Sequence, residues 1–305
     1  MGKGKKKKAN KGKKRDVKKT EDTEEEEGNF SRLQIKITPE QRERARLAAA
    51  NRTEDPLKNW TRLQNEECPI CMLPLPFRNS DTNYCITCGK TVCMGCVIGV
   101  LEAHKRDGRD AKTTIEKATT CPCCRSNTRV YDDKYALEQE MKRANTGNGE
   151  AKCQVGTYYF DGVMGLRQDK AEGLKWYNRA AEAGSGKAAF NLGVFYWTGD
   201  GVEEDNDKAL EHLQKAAERG SIPAFQIVGM ILMERGDIEE AFINLRKAAM
   251  CGLSNDYLFS KLRNGFKYGY ITKDEYAFTL RENQKACNEM KSDGRERWKR
   301  CNTSR

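Results

Sequence analysis

The sequence predicts a multidomain protein in which a small, cysteine-rich α+β domain precedes an all-α solenoid of helical repeats. Two patterns predict this arrangement. Four C-x-x-C pairs lie between Cys68 and Cys124, and three related segments, offset from one another by 37 and 36 residues, follow residue 150. A third pattern, a run of charged residues at the N-terminus, predicts a disordered tail that is first basic and then acidic.

The cysteine pairs predict bound metal. Two thiolates separated by two residues can bind one tetrahedral zinc ion, and two such pairs complete a structural site. Eight cysteines therefore predict two Zn²⁺ ions. Because the segment has few large apolar side chains to form a core, we expect zinc to dominate its stability, at roughly 10–16 kcal/mol per site. The pairs are Cys68/Cys71, Cys85/Cys88, Cys93/Cys96 and Cys121/Cys124.

The N-terminal tail carries the whole excess of positive charge. The chain of 305 residues has a formal net charge of +10, and residues 1–20 hold ten lysines, Arg15 and one acidic residue, Asp16. An acidic run from Glu21 to Glu27 follows. Blocks of like charge are usually solvated. The alternative functions for these lysines are a nuclear-localisation signal or weak contact with nucleic acid.

The hydropathy of the sequence gives an expectation for the cellular location of the protein. No apolar run approaches the roughly 18 residues that a membrane span needs, and the first residues lack the apolar region of a secretory signal. We therefore expect no membrane span and a cytoplasmic and/or nuclear location. In such a reducing compartment, paired cysteines bind metal more often than they form disulfides.

A capping box predicts a helix before the cysteine-rich segment. Residues 38–41 read Thr-Pro-Glu-Gln, which is typical of a helix start, and the helix is expected to run through Ala50. The connector that follows, residues 51–66, is expected to anchor on the metal domain through Trp60 and Leu63.

A second capping box, at residues 272–275, predicts a helix to about Lys291 that covers the last hydrophobic face of the repeats. The predicted organisation is a disordered tail at 1–30, a linker helix at 31–66, a zinc domain at 67–127, a polar linker helix at 128–150, three repeats at 151–252, C-terminal capping helices at 253–298 and a tail at 299–305.

The repeats resemble the Sel-1-like family, a relative of tetratricopeptide helical hairpins. The motif L-G-x-x-Y at Leu192 recurs in related form at Val155 and Val228, and an A-A-x-x-G pattern closes each copy. The third copy is four residues shorter between its two halves. Since no single unit buries its apolar face, the copies must stack. The resemblance implies a surface that binds protein substrates or adaptors. The alternative is that the repeats are only a scaffold that holds the metal domain and bind no ligand of their own.

The cysteine spacing, C-x2-C-x13-C-x2-C-x4-C-x2-C-x24-C-x2-C, resembles that of a RING domain in an all-cysteine form. The resemblance implies a cross-brace, in which pairs one and three bind one zinc ion and pairs two and four bind the other. Site 1 is then Cys68, Cys71, Cys93 and Cys96, and site 2 is Cys85, Cys88, Cys121 and Cys124. It also implies the activity of a RING-type ubiquitin ligase, which forms no covalent intermediate.

The same resemblance implies contacts with a ubiquitin-conjugating enzyme. Ile70, before the second ligand, and Pro122, in the closing Cys-Pro-Cys-Cys-Arg run, would form the groove, with Val100 or Leu101 as the helix contribution. Arg125, after the last ligand, would be the linchpin that steadies ubiquitin.

Two alternatives stay open. The run from Cys85 to Cys96 also resembles a FYVE-like finger, but the basic residues that such a finger uses for a lipid headgroup are replaced by Asp81-Thr-Asn-Tyr. The other alternative is a non-catalytic zinc scaffold whose finger only mediates assembly.

The remaining cysteines and the histidines are not expected to do chemistry. Cys123 lies inside the last pair but breaks the shared spacing, and Cys153 and Cys251 fall at packed repeat positions. His212 occupies the repeat position of Trp176, which predicts a packing role.

Overall fold

The computed structural model describes residues 38–63, 66–76, 82–106, 120–126 and 133–302. The predicted tail at 1–30, the first residues of the 31–66 linker and residues 107–119 of the predicted zinc domain lie outside these ranges. Within the described ranges, no helix is long and apolar enough to cross a membrane.

Helix α1 (Pro39–Ala50) begins at the predicted capping box. The Thr38 hydroxyl accepts a hydrogen bond from the Gln41 N–H at 3.2 Å, and the Gln41 side chain accepts one from the Thr38 N–H at 2.9 Å. Without these bonds, both backbone N–H groups would lack a hydrogen-bond partner within the helix. The buried alanines of α1, Ala45 and Ala49, lie on a helix that packs against the last repeat.

The cysteine-rich segment contains a short hairpin followed by a helix. Strand β1 (Thr82–Tyr84) pairs antiparallel with β2 (Thr91–Cys93), and helix α2 (Met94–Arg106) follows directly. Its cluster of buried residues consists of Cys68, Leu75, Val92 and Cys93. Two of these four are cysteines, so apolar burial alone gives this segment little stability.

Seven consecutive helices lie between residues 133 and 250. After α3, they form three pairs, α4 with α5, α6 with α7 and α8 with α9, and each pair packs on the next. The observed architecture is an all-helical repeat solenoid, as predicted. The helices are α3 (Asp133–Asn145), α4 (Gly149–Asp161), α5 (Lys170–Glu182), α6 (Gly186–Thr198), α7 (Asn206–Glu218), α8 (Ile222–Arg235) and α9 (Ile238–Met250).

A glycine in the first helix of each pair lets the two helices approach closely. A Cβ atom on Gly193 would lie 2.5 Å from the Leu213 Cγ, and one on Gly229 would lie 2.8 Å from the Leu245 Cγ. Both distances are shorter than van der Waals contact allows. The glycine of the L-G motif is therefore needed because a larger residue would clash with the paired helix. The short third repeat is also present, since only Gly236 and Asp237 separate α8 from α9.

Helix α3 differs from the polar linker helix predicted for 128–150. Ala136, Glu140 and Ala144 are buried, and α3 packs on α4 as a further layer of the solenoid. The alanine spacing places one small face of α3 against its neighbour, and this face is short enough to be missed among the charged residues.

The C-terminal part has helices α10 (Asp256–Lys267), α11 (Lys273–Glu289) and α12 (Asp293–Asn302). The capping box from Thr272 to Glu275 is present, and α11 packs on α9 as predicted. Helix α12 does not follow the expected plan of caps at 253–298 and a tail at 299–305. It continues to Asn302 and packs on α2 of the cysteine-rich segment.

The prediction that Trp60 and Leu63 anchor on the metal domain is wrong. The Trp60 ring meets Phe225 of α8 edge to face, with ring centroids 6.0 Å apart. Leu63 lines, with Trp60 and Phe225, a groove on the surface of the repeats. The nearest large apolar surface for these side chains is the third repeat, because the cysteine-rich segment offers so little.

A buried ion-pair network holds the connector in this place. Arg246 of α9 is fully buried and pairs with Asp55 and Glu275, and its Nε donates to the Thr279 hydroxyl at 2.9 Å. Arg52 pairs with the same Glu275 carboxylate. A buried guanidinium requires such partners, so residues 51–63 belong structurally with the repeats.

Candidate metal centres

The structure brings the eight paired cysteines together in two groups of four. The Cys68 and Cys96 sulfurs lie 3.8 Å apart, as do those of Cys71 and Cys93. In the second group, the sulfurs of Cys85 and Cys124 lie 3.6 Å apart and those of Cys88 and Cys121 lie 3.8 Å apart. We call these groups quartet 1 (Cys68, Cys71, Cys93, Cys96) and quartet 2 (Cys85, Cys88, Cys121, Cys124).

The spacing of the sulfurs fits a tetrahedral metal ion. Sulfurs bound at about 2.3 Å to a tetrahedral zinc lie about 3.8 Å from one another. Within each quartet, all four sulfurs lie within 4.8 Å of one another. A disulfide would need about 2.05 Å, and the described cysteines are free thiols. Four soft thiolates in this arrangement suit Zn²⁺.

The quartets interleave along the chain. Quartet 1 uses the first and third pairs, and quartet 2 uses the second and fourth. Each quartet therefore joins segments that are distant in sequence. The loop of hairpin β1–β2 carries the second pair, and β2 ends at the first cysteine of the third pair. This is the ligand order that the RING resemblance implies.

Three of the four pairs adopt the same turn. In each, the residue after the second cysteine has a left-handed backbone and donates its N–H to the carbonyl of the first cysteine. These residues are Met72 (φ 54°), Gly89 (φ 68°) and Arg125 (φ 60°), and their N–H···O distances are 2.9, 2.7 and 2.8 Å. The turn aims both sulfurs of a pair at one point, which explains the strict x2 spacing.

The fourth pair is built differently, because Cys93 ends β2 and Cys96 lies in the first turn of α2. The Cys93 N–H donates to the Cys68 sulfur at 3.4 Å and so ties this pair to the turn at Cys68. Quartet 2 has a hydroxyl partner instead, since Ser126 Oγ lies 2.9 Å from the Cys124 sulfur.

These contacts divide the thiols by acidity. Burial acts to raise the pKa of Cys68, but hydrogen bonds from the backbone of Cys71, Cys93 and Ile70 outweigh it and lower the pKa to about 7. Burial also acts to raise the pKa of Cys124, and Ser126 lowers it to about 6.

Other thiols of the quartets ionise less readily. Burial raises the pKa of Cys96, and the neighbouring Cys93 sulfur raises it further. Burial likewise raises the pKa of Cys121. Four thiolates can share so small a volume only beside a cation, which compensates their mutual repulsion.

The residues predicted to contact a conjugating enzyme lie on different parts of this segment. Ile70 is 40% exposed on the first turn, and Arg125 is exposed on the last. Pro122 and Val100 are half-buried. Leu101 lies in α2, but its side chain is outside the described ones. Sequence reasoning overlooked Met72, which is 64% exposed beside Ile70.

The other thiols and His212 pack as expected. Cys123 lies against the quartet 1 core without joining either quartet. Cys153 and Cys251 are each 6% exposed. The His212 ring stacks on Tyr196 at a centroid distance of 5.5 Å, and burial lowers its pKa.

Two arginines from helices outside the cysteine-rich segment reach the quartets. Arg143 of α3 donates to the Ile86 carbonyl at 2.7 Å, inside the turn of Cys85 and Cys88. Arg295 of α12 donates to the Cys71 sulfur at 3.7 Å. Sequence reasoning missed both, because they lie far along the chain from the residues that they contact and no motif surrounds them.

The repeats present a groove of about 640 Å³ formed with the connector. The Lys247 ammonium lies 5.8 Å from the Trp60 ring centroid and 5.7 Å from that of Phe225. Glu218 and Glu240 also line the groove. It combines aromatic faces with charges of both signs, a composition common at protein-binding surfaces.

Comparison with known proteins identifies the repeats. The family model described as Sel1 repeat matches residues 149–185, 186–221 and 230–253. The first two matches cover the helix pairs α4/α5 and α6/α7, and the third covers the second half of α8 together with α9. The chain therefore contains three Sel1 repeats, as the sequence predicted.

Curated relatives match a limited part of the chain. It is 31% identical over 130 residues to chitin synthase regulatory factor 4 of Schizosaccharomyces pombe, which is 42% of this chain and 20% of that protein. It is 33% identical over 105 residues to the ERAD-associated E3 ubiquitin-protein ligase component HRD3B of Arabidopsis thaliana, or 34% of this chain and 16% of that protein. The chain thus spans a fifth or less of these relatives.

Among solved structures, the chain is similar to a Sel1 repeat protein from Oxalobacter formigenes. The TM-score is 0.45 at 22% identity, and the match covers 57% of this chain and 79% of that one.

Proposed function

We propose that this protein is a RING-type ubiquitin ligase whose Sel1 repeats bind the substrate or an adaptor. The observation that carries the proposal is the pair of interleaved cysteine quartets, with Ile70 exposed on a turn of quartet 1 and Arg125 exposed on a turn of quartet 2. A repeat scaffold alone has no use for two such quartets in one short segment.

Each quartet would hold one Zn²⁺ ion. The ion would supply a structural cross-link and no reactive group, because all four of its ligands would be protein sulfurs. The residues of the chain do the rest: the three left-handed turns and the Cys93–Cys68 contact hold the sulfurs in place. These contacts thereby keep rigid the surface that carries Ile70, Pro122 and Arg125.

Catalysis by such a domain is a matter of proximity. Ile70 and Pro122, with Val100 or Leu101, bind a conjugating enzyme loaded with ubiquitin, and Arg125 donates hydrogen bonds that restrain the ubiquitin. Holding the thioester near a substrate lysine raises its effective concentration without any nucleophile from the ligase. The scarcity of histidine in the chain, two residues in all, is consistent with this mechanism.

The repeats supply the second half of the function. Two curated relatives are named as ubiquitin ligase components and others as regulatory factors of chitin synthase. These names support a role for the repeats in binding another protein. The groove beside Trp60 and Phe225 is the described surface best suited to it.

A ubiquitination assay with purified activating enzyme and a panel of conjugating enzymes tests the proposal. Ile70→Ala and Arg125→Ala should each lower the rate at least about tenfold, the effect of losing one interface hot spot. Met72→Ala, which removes a neighbouring exposed side chain from the same turn as Ile70, is the matched control and should change the rate less than twofold.

Arg125→Gly separates the role of the side chain from that of the turn. A left-handed backbone costs a non-glycine residue about 1–2 kcal/mol, so glycine at this position keeps or improves the turn. The variant should retain two zinc ions by native mass spectrometry and lose activity. Full activity in Arg125→Gly would contradict the role assigned to the guanidinium.

The remaining outcomes distinguish the alternatives. A chain that holds two zinc ions but is inactive with every conjugating enzyme would be a zinc scaffold. Binding of RNA or of phosphoinositide vesicles that persists after deletion of residues 1–20 would favour a nucleic-acid or FYVE-like role for the finger.

A further inference from the structure

We infer that each metal site is completed from outside the finger by one arginine, Arg295 for quartet 1 and Arg143 for quartet 2. These arginines are positioning residues that slow the loss of metal. The inference rests on the zinc occupancy proposed above. It makes α3, the helix that packs on the first repeat, and α12 part of the metal centres rather than separate modules.

Arg295 is the more deeply placed of the two, at 5% exposure. Its guanidinium donates to the Pro74 carbonyl at 2.7 Å, to the Leu73 carbonyl at 3.3 Å and to the Cys71 sulfur at 3.7 Å. A further bond, to the Met290 carbonyl at 2.7 Å, fixes the side chain on its own segment. Three of its contacts thus lie on the stretch that begins with a ligand of quartet 1.

The remaining polar atom of Arg295 is unsatisfied. Its Nε is buried without a hydrogen-bond partner, and no carboxylate among the described residues pairs with it. Burying a cation without an acidic partner is unfavourable. The anion that compensates it is the adjacent thiolate cluster, which keeps a net charge of about −2 after it binds one zinc ion.

Arg143 occupies the corresponding place at quartet 2. It donates to the Ile86 carbonyl at 2.7 Å and to the Tyr84 hydroxyl at 2.7 Å, and the Tyr84 hydroxyl donates to Glu140 at 2.8 Å. Glu140 is fully buried and lies 3.3 Å from Arg143. Part of the positive charge is therefore balanced by Glu140, and the remainder acts on the turn of Cys85 and Cys88.

Both arginines press against a glycine of the finger. A Cβ atom on Gly89, next to Cys88, would lie 2.2 Å from a terminal nitrogen of Arg143. A Cβ atom on Gly95, between Cys93 and Cys96, would lie 2.6 Å from the backbone nitrogen of Arg295. The guanidinium of Arg143 thus fills the space beside Gly89, whereas the α12 backbone at Gly294 and Arg295 fills the space beside Gly95. At both quartets, an arginine from a helix outside the finger contacts the turn of a cysteine pair.

The physical consequence is a difference between the sites. Hydrogen bonds and positive charge from outside the ligand set hold metal ligands in place, and losing them typically lowers metal affinity about 10- to 100-fold. Because Arg295 has no carboxylate partner among the described residues and Arg143 shares its charge with Glu140, loss of Arg295 should have the larger effect.

The test measures metal rather than ligase activity. The full-length chain is loaded with zinc, the two-ion state is verified by native mass spectrometry, and release to a chromogenic chelator is timed. Arg295→Ala should release one of the two ions about tenfold or more faster than the parent. Arg143→Ala should accelerate release of the other ion by a smaller factor. Arg281→Ala, an exposed arginine on α11, is the control and should not change either rate.

Cadmium-113 resonances of the substituted protein assign the sites. Each quartet should give its own signal in the four-sulfur range, and each arginine variant should shift one signal only. Arg295→Lys, which keeps the charge, should recover part of the slow release, whereas a role in packing alone would not be rescued. If Arg295→Ala fails to fold, Arg295→Lys and, at the other site, Tyr84→Phe provide the comparison.

The outcomes are distinct. A parent chain without metal would refute both the zinc proposal and this inference. A parent with two ions whose release is unchanged in Arg295→Ala and Arg143→Ala would refute the inference and leave the proposed function standing.

Discussion

Replacing Gly193 by alanine should destabilise the repeats, although alanine is the better helix former. Gly193 lies inside α6, where alanine in place of glycine gains about 1 kcal/mol of helix propensity. The new Cβ atom would lie 2.5 Å from the Leu213 Cγ and 3.2 Å from the Ala209 carbonyl oxygen of α7. Leu213 is fully buried, so it can move away only by displacing the side chains packed around it.

The magnitude follows from these two opposing effects. Overpacking a well-filled core costs about 1–3 kcal/mol. The upper part of this range applies here, because one obstructing atom belongs to the backbone and the other to a side chain enclosed on all sides. After the gain in propensity, we expect a net loss of about 1–2 kcal/mol in the free energy of unfolding.

Urea unfolding followed by far-ultraviolet circular dichroism measures this difference. Gly99→Ala is the matched control, since Gly99 is also inside a helix but a Cβ atom there would meet nothing within 4 Å; it should be neutral or stabilising. In a double-mutant cycle, Leu213→Ala should recover part of the loss caused by Gly193→Ala. A Gly193→Ala variant at least as stable as the parent would refute the close-approach argument.

Three further outcomes are expected. Chelation of metal should unfold the cysteine-rich segment and leave the repeats helical, so circular dichroism should keep most of its helical signal while limited proteolysis cuts between residues 67 and 127. Asp55→Ala should lower the free energy of unfolding by about 3 kcal/mol, because Arg246 loses a buried partner, whereas Asp256→Ala at the exposed start of α10 should cost less than 1 kcal/mol. Burial lowers the pKa of His212, so its contribution to stability is complete above the unfolded pKa of about 6.5 and is lost as the pH falls below it; His212→Phe should flatten the dependence of Tm on pH in this range.

The sequence alone predicted the repeats and the sulfur groups for related reasons. Both depend on short-range patterns: a repeated L-G motif reports how two adjacent helices pack, and a C-x-x-C pair reports a single turn. The capping boxes at Thr38 and Thr272 are equally local. A pattern that a few neighbouring residues complete can be read without knowing the rest of the fold.

Contacts between distant segments followed only from the tertiary structure. The connector with Trp60 was assigned to the wrong neighbour, and the docking of α12 on α2 was not expected. Arg143, Arg295 and the buried Arg246 belong to no sequence motif that would have marked them. Their positions depend on which faces remain uncovered once the repeats have stacked, and on which buried charge needs a partner there. Neither condition produces a recognisable pattern in the sequence, because the residues that meet can lie more than 200 positions apart.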